Sequence, residues 1–255
     1  KRTESRDEVR KNAELITANM YRVKKGDTKL ICEDYYTEGS PEVEIALDPL
    51  KTPQQNAAAM FKEYNKLKTA ETYLTKLIAD GEKQLDYLSS VLDEIDRAET
   101  ERDLSDIRRE LTETGYIKKQ KGAKPDKAKK QPCLSFISSD GFEILVGRNN
   151  SQNDELTTKT ARRTDIWLHT KSVHGSHVII CCEGITPPEK TLEEAASLAA
   201  YFSQGREGGK TAVDYTMVRF VKKPSGALPG KVIYTDYNTI MAEADEQLIE
   251  KLKKV

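Results

Sequence analysis

The chain of 255 residues is 37% hydrophobic, 7% aromatic and 33% charged. That is enough apolar material for a core in one or two domains, but more charge than one compact globule needs, as long solvated helices would supply. The net charge of −1 hides a partition of −6 over residues 1–115, +6 over 116–182 and −1 over 183–255, so a polyanionic partner is expected for part of the chain only.

No run approaches the roughly 20 apolar residues of a membrane span, which excludes an integral membrane protein, and no secretory leader is visible. Residues 4–25 read as a helix, with Leu15, Ile16, Met20 and Val23 at helical spacing and Gly26 as its stop. Two strands follow, Lys29–Glu33 and 43–47, around the turn-rich Glu38-Gly39-Ser40-Pro41. A second helix starts with Thr52 as N-cap, Pro53 in the first position and Gln55 completing a capping box. It runs to about residue 114. Leu67, Leu74, Gly81, Leu88 and Ile95 share one heptad position. Leu77 or Ile78, Leu85, and Val91 or Leu92 fill the other, which is coiled-coil spacing. A helix of roughly 60 residues would be about 90 Å long. It needs a partner, either the first helix plus a missing upstream segment or another chain. The strand pair then sits at the tip between two antiparallel helices. Residues 118–132, with seven Lys against one Asp, form a linker that cannot bury a core.

From Cys133 the texture changes. Residues 134–138 and 143–147 read as a hairpin around Ser139-Asp140-Gly141-Phe142. Residues 153–161 read as a short helix, and 165–170 and 177–182 as strands. Thr191 and Glu194 make a capping box for a helix through Phe202. Residues 213–221 and 231–235 are strands joined by a Pro/Gly loop, and 239–254 stay ambiguous with an amphipathic helical end. The fold class expected is α+β in two parts. A long antiparallel helical coiled-coil arm with a small β-hairpin tip occupies 1–115, a Lys-rich linker 116–132, and a mixed α/β domain 133–255.

In the strand 165–171, Ile166 and Leu168 face the core. Asp165, Trp167, His169 and Lys171 share the other face, where an aromatic plane beside His and Lys would stack a base and hold a phosphate. Trp167 reads equally well as packed under a helix with solvated charges around it. Arg148, Lys159, Arg162 and Arg163 lie nearby in sequence. Asn149 and Asn150 suit a tight turn with positive φ. The loop 222–231 presents Lys222, Lys223 and Lys231, which suit a phosphate backbone or an ordinary exposed hairpin.

Enzyme chemistry is poorly served. Residues 205–211 (GREGGKT) are one residue short of a P-loop and follow a helix where a phosphate cradle follows a strand. His169, His174, His177 and Cys181 lack metal-ligand spacing, so no metal and no cofactor are expected. Asp165, His169 and Ser176 have triad residue types but no nucleophile elbow. Cys32, Cys133, Cys181 and Cys182 form no C-x-x-C pair, and a reduced, cytoplasmic chain is expected.

The run G-R-N-N-x-Q-N-D-x-L-T from Gly147, followed by D-I-W-L-H-T-K-x-x-x-G-S-H-V-I-I from Asp165, resembles the signature of the NFACT RNA-binding domain. That domain occurs in bacterial fibronectin-binding protein A, or RqcH-type, factors and their eukaryotic relatives in ribosome quality control. The stretches A-N-M-Y-R-V-K-K-G from Ala18, D-Y-Y from Asp34, L-D-P from Leu47 and N-x-x-x-x-F-K-E-Y-N-K-L-K from Asn56 resemble the same family's coiled-coil and middle segment. The resemblance implies a non-enzymatic cytosolic factor binding tRNA, alanyl-tRNA in bacteria, and a large ribosomal subunit with an obstructed nascent chain. It further implies support for C-terminal alanine tailing, and an N-terminal domain missing from this chain. The rivals are a fibronectin-binding surface adhesin and a coiled-coil assembly module without RNA binding.

The expected RNA face joins Arg148, Asn149, Asn150, Lys159, Arg162, Arg163, Trp167, His169, Lys171, His174 and His177, with Lys222, Lys223 and Lys231 beside it. The expected ribosome contact at the arm tip comprises Tyr35, Tyr36, Asn56, Lys62, Lys66 and Lys68.

Overall fold

The computed structural model describes residues 4–118 and 131–252. Residues 119–130, most of the expected Lys-rich linker, lie outside the described residues. The chain divides into two compact units, Lys1–Lys83 and Gln84–Val255.

In the first unit, α1 (Glu4–Ala18) leads through a 3-10 turn (Met20–Arg22) into the antiparallel hairpin β1 (Lys29–Glu33) and β2 (Glu42–Ala46). The helix stops earlier than expected because the Asn19 side chain turns back onto the Leu15 carbonyl at 2.9 Å. Val23 is then extended, and Gly26, at φ 106°, serves the approach to β1 rather than a helix end. Leu30, Cys32 and Ile45 alternate inward and pack with Leu15, Ile16, Leu47 and Ala57. The helix α2 (Pro53–Asp96) starts as its sequence demands. The Thr52 N–H donates to Gln55 Oε1 at 2.9 Å and the Gln55 N–H to Thr52 Oγ1 at 3.2 Å, the reciprocal pairing of a capping box. Within this unit α1 runs antiparallel to α2. Arg6 is ion-paired with Glu71, and the Arg10 guanidinium lies 5.9 Å from the Tyr64 ring centre.

The single helix expected to reach residue 114 is broken. α2 ends at Asp96 after 44 residues, and α3 (Glu101–Glu113) begins anew behind Thr100. Thr100 accepts from the Asp103 N–H, and Asp103 accepts from the Thr100 N–H. A second capping box hidden in a run of charges therefore ends one helix and starts the next. The heptad stripe Leu74, Leu77, Ile78, Leu85 and Leu92 is exposed rather than paired in a seam. The last turns of α2 and α3 belong to the second unit, where Tyr87, Val91 and Ile107 pack with Leu111 and Leu228.

The second unit is built on a six-stranded sheet, all of whose neighbours pair antiparallel, in the order β10-β7-β5-β6-β4-β3. Its strands are β3 (Leu134–Ile137), β4 (Glu143–Val146), β5 (Ile166–Thr170), β6 (Val178–Ile180), β7 (Thr211–Met217) and β10 (Asn238–Ala242). Between them lie α4 (Asn150–Glu155) running into a π turn (Leu156–Thr160), α5 (Glu189–Tyr201), and the short ribbon β8 (Val221–Lys222) and β9 (Ile233–Tyr234). The chain closes with α6 (Glu246–Leu252), so the ambiguous tail is an edge strand and a helix.

Both faces of the sheet are covered. Ile144, Val146, Leu168, Val178 and Ile180 point to the Ala-rich α5, whose small side chains allow close approach. Trp167, Ile179 and Leu145 point the other way, under Leu156 and the β8–β9 ribbon. That double burial explains the nearly unbroken apolar runs in β4 and β6. The expected α5 capping box does not cap: the helix already begins at Glu189. Thr191 and Glu194 instead hold the β3–β4 turn, through Thr191 Oγ1 to Asp140 at 2.8 Å and the Ser139 N–H to Glu194 at 2.8 Å. Among the described residues, no helix is long and apolar enough to cross a membrane.

Candidate nucleic-acid interface

The signature run from Gly147 is a knot of internal hydrogen bonds. The Gly147 N–H donates to the His177 carbonyl, and the His177 N–H donates to Asn153 Oδ1 at 3.0 Å. A Cβ on Gly147 would collide with that same Oδ1. The Asn149 side chain caps α4 by accepting the Gln152 N–H at 2.9 Å, and Gln152 accepts the Arg148 N–H. Asn150 donates to Ser90 Oγ at 2.9 Å. Gly230 passes so close to it that a side chain there would strike Asn150. Asp154 accepts the Gly230 N–H and is ion-paired with Lys223.

Asn149 and Asn150 are therefore buried. Asn149 has φ −151°, in the extended range, where a positive value was expected. Neither presents a side chain to RNA. The Asn149 side chain closes the turn between β4 and α4, and the Asn150 amide is spent on Ser90 of α2.

Trp167 is likewise not a stacking platform. Its ring is fully buried. It stacks on His169 with centroids 5.7 Å apart and planes 7° apart, meets His177 edge-on at 5.3 Å, and lies 4.8 Å from Tyr234. The face assignment from strand alternation holds, but Leu156 and the β8–β9 ribbon occupy the space a base would need. Trp167 Nε1 is buried without an acceptor among the described residues.

His177 is buried against Thr157, whose Oγ1 is 2.7 Å from Nδ1. Burial pushes the His169 pKa down to about 4. Burial, with His169 beside it, pushes His177 down to about 3. Both rings are neutral near pH 7 and carry no charge for phosphates.

Several expected cations have carboxylate partners, those of Arg162 and Lys231 at the exposed surface. Arg148 reaches Asp103 at 3.4 Å and the Pro132 carbonyl at 3.2 Å. Arg162 pairs with Glu183 at 3.1 Å. Lys171 stands 3.8 Å from buried Asp214 and over the Tyr237 ring at 5.4 Å. Asp86 takes both Lys231, at 2.9 Å, and His174, at 3.6 Å. The expected single face is also divided along β5: Arg162 and Arg163 precede the strand and Lys171 follows it.

At the other site, Tyr35 and Tyr36 are exposed with ring centres 4.6 Å apart, and Lys62, Lys66 and Lys68 are exposed. Asn56 is buried, bonded through its amide to the backbone N–H and carbonyl of Asp48. It shapes the loop into α2 and is no contact residue.

Asp165, His169 and Ser176 form no relay. The Asp165 carboxylate accepts the Arg162 and Cys182 N–H groups, and Ser176 Oγ accepts from Arg97.

Residues 1–130 match the family described as NFACT N-terminal and middle domains. The chain belongs to the NFACT family. Residues 133–236 match the NFACT protein RNA binding domain. Two curated relatives are both named Rqc2 homolog RqcH. The one from Bacillus subtilis (strain 168) is 42% identical over 254 residues, covering 99% of this chain and 44% of its own length. The one from Streptococcus pneumoniae serotype 2 is 40% identical over 253 residues, covering 99% and 45%. The chain thus spans less than half the length of these relatives. A solved structure, the C-terminal of the fibronectin/fibrinogen-binding protein from Streptococcus suis, is similar with a TM-score of 0.72 and 32% identity, covering 99% of this chain and 89% of that one.

Within the NFACT RNA-binding segment, three of the expected cations remain exposed without a carboxylate partner among the described residues: Lys159, Arg163 and Lys222. A fourth, Arg219, was not foreseen. It lies in the 3-10 turn Val218–Phe220 after β7, is exposed, and sets its guanidinium 4.8 Å from the Phe220 ring centre. Its backbone N–H donates to the Arg163 carbonyl at 3.2 Å. No periodic signal marks a lone arginine in such a turn. Only the pairing of β5 with β7 brings it to Arg163.

Proposed function

We propose that this chain is a non-enzymatic, cytoplasmic part of a ribosome quality-control factor, binding tRNA and the large ribosomal subunit. The observation that carries the reading is the NFACT RNA binding domain over residues 133–236 in a chain alike along 99% of its length to proteins named RqcH. In this reading residues 1–115 act as an arm, which pairs with further helical sequence to form a coiled coil. The 116–132 segment is a tether, and residues 133–255 hold RNA. Tyr35, Tyr36, Lys62, Lys66 and Lys68 contact the ribosome. Lys159, Arg163 and Lys222, unpaired by any carboxylate in the described fold, contact RNA through phosphates, which need charge and little geometry. The full-length factor supports C-terminal alanine tailing with alanyl-tRNA on an obstructed subunit, using the ribosome's own peptide-transfer chemistry.

The test is co-sedimentation of the purified chain with large subunits carrying obstructed nascent chains, together with sequencing of the RNA it retains from cytosol. Enrichment of tRNA and subunits is expected. Retention of neither, with saturable binding to immobilised fibronectin, would replace this reading with the fibronectin binding that the Streptococcus suis relative's name describes.

A further inference from the structure

Arg163 and Arg219 are 56 positions apart in sequence, yet the Arg219 N–H donates to the Arg163 carbonyl where β5 begins and β7 ends. Two acids near Arg163 in the fold are committed elsewhere. Glu183 is held by Arg162. The Asp165 carboxylate is buried and bonded to the Arg162 and Cys182 N–H groups at 2.7 and 3.0 Å. Neither Arg163 nor Arg219 has a carboxylate partner among the described residues, and both are exposed. Two guanidinium groups thus sit on hydrogen-bonded backbone positions just outside the start of β5 and the end of β7, without a carboxylate partner among the described residues. The Phe220 ring beneath Arg219 limits that side chain's freedom, so less entropy is lost when its planar donor fork engages an anion.

We infer that Arg163 and Arg219 form a two-point phosphate clamp, gripping neighbouring phosphates of one RNA strand at the β5–β7 end of the sheet. The inference rests on the RNA-binding reading above and gives it a location. Guanidinium forks match phosphate oxygens two at a time. Two such forks on fixed backbone register a strand without reading its bases. At the opposite end of β5, Lys171 is drawn to Asp214.

The experiment is fluorescence anisotropy of the full chain with unfractionated tRNA across a salt series, with thermal melts confirming that each variant is folded. Arg163→Ala/Arg219→Ala is expected to weaken binding and to lower the log–log salt slope by roughly one to two, at about 0.7–0.9 per lost phosphate contact. Arg163→Lys/Arg219→Lys should recover most of the slope. Arg162→Ala/Lys171→Ala, which removes compensated charge, should leave it nearly unchanged. If the wild type binds tRNA and the Arg163/Arg219 variant keeps the same slope, the clamp is wrong while the RNA-binding reading stands. Equal losses in the two double-alanine variants also overturn it, as a diffuse charge effect. Absence of tRNA binding by the wild type at low salt overturns both.

Discussion

The Glu110 carboxylate on α3 accepts the backbone N–H of Ser151, in the first turn of α4, at 2.8 Å. Its other oxygen accepts the Tyr87 hydroxyl at 2.8 Å. Glu110 is only 2% exposed, so a helix end that would otherwise carry an orphan donor is capped by a carboxylate from elsewhere in the chain. Asn149 supplies the ordinary cap to Gln152, and Glu110 adds a second. Glu110→Ala removes the acceptor of the half-buried Ser151 N–H and leaves the Tyr87 hydroxyl with only Thr114 Oγ1, 3.5 Å away. Urea denaturation should show a loss of about 1–3 kcal/mol for an unpaired donor. Glu110→Gln, which keeps an acceptor, should lose distinctly less. Equal losses would mean that the bond to Ser151 contributes nothing.

Glu94 sits beside this pair, 3% exposed, with Oε2 lacking any partner among the described residues. Burial first, then the neighbouring Glu110, raises its pKa well above the ordinary glutamate value of 4.5, against the pull of Arg97 and the Asn150 N–H. Arg97 is itself engaged with Asp93 at 2.8 Å. The folded chain therefore keeps a proton that the unfolded chain releases. That stabilisation is complete below the ordinary value and is lost as pH rises towards Glu94's own. Glu94→Gln, neutral at every pH, should gain stability relative to wild type as pH rises from about 5 to about 8. A Tm difference that stays constant over that range would show Glu94 ionised in the fold.

The two histidines act in the opposite sense. Their pKa values lie below the ordinary 6.5, at about 4 for His169 and about 3 for His177, chiefly through burial. The unfolded chain binds protons that the folded one refuses. Their contribution is complete above 6.5 and falls away as pH drops towards the folded values, at up to about 1.4 kcal/mol per pH unit for each ring. Chemical denaturation at several pH values between roughly 4 and 7 should give His177→Gln a shallower acid slope than wild type. Parallel slopes would mean that His177 is solvated.

Gly147 has no room for a side chain, since a Cβ would collide with the Asn153 oxygen that accepts the His177 N–H. Gly147→Ala must break that bond or move β4, and thermal melts should show destabilisation of about 2 kcal/mol or more. Gly208→Ala, where the nearest atom lies 3.5 Å away, should change little. Comparable losses at both positions would place the strain elsewhere.

What was legible in the sequence was local. Thr52, Pro53 and Gln55 announce a helix start, and the alternation of Ile166, Trp167 and Leu168 assigns each to the correct side of the sheet. What alternation cannot say is whether the second side is free. The ribbon that covers Trp167 comes from residues 221–234, some 55 positions downstream. The signature asparagines carried the same ambiguity. Polar residues in a recurrent motif look like contacts, whereas Asn149, Asn150 and Asn153 are spent on internal hydrogen bonds. Charge carries a related ambiguity. Whether a lysine is free depends on whether an acid such as Asp86 or Asp154 is folded against it, and sequence distance does not report that.

Thr191 and Glu194 show the same displacement of a local signal into a tertiary one, and the two roles separate experimentally. As a capping box they would hold the first turn of α5; as found, they hold the β3–β4 turn. Thr191 Oγ1 donates to Asp140 and lies 3.0 Å from Ser138 Oγ, and Glu194 accepts both the N–H and the hydroxyl of Ser139. Glu194 is buried but its donor Ser139 is exposed, so water can take the freed N–H and hydroxyl, and Glu194→Ala should cost only about 1 kcal/mol. Residue-resolved hydrogen exchange decides between the roles. With the bond to Glu194 lost, the amides of Ser139 and Gly141 should exchange faster, while those of the first α5 turn, which need no side-chain cap, should keep their wild-type rates. Faster exchange confined to residues 189–192 would restore the capping role and remove the staple between α5 and the edge of the sheet.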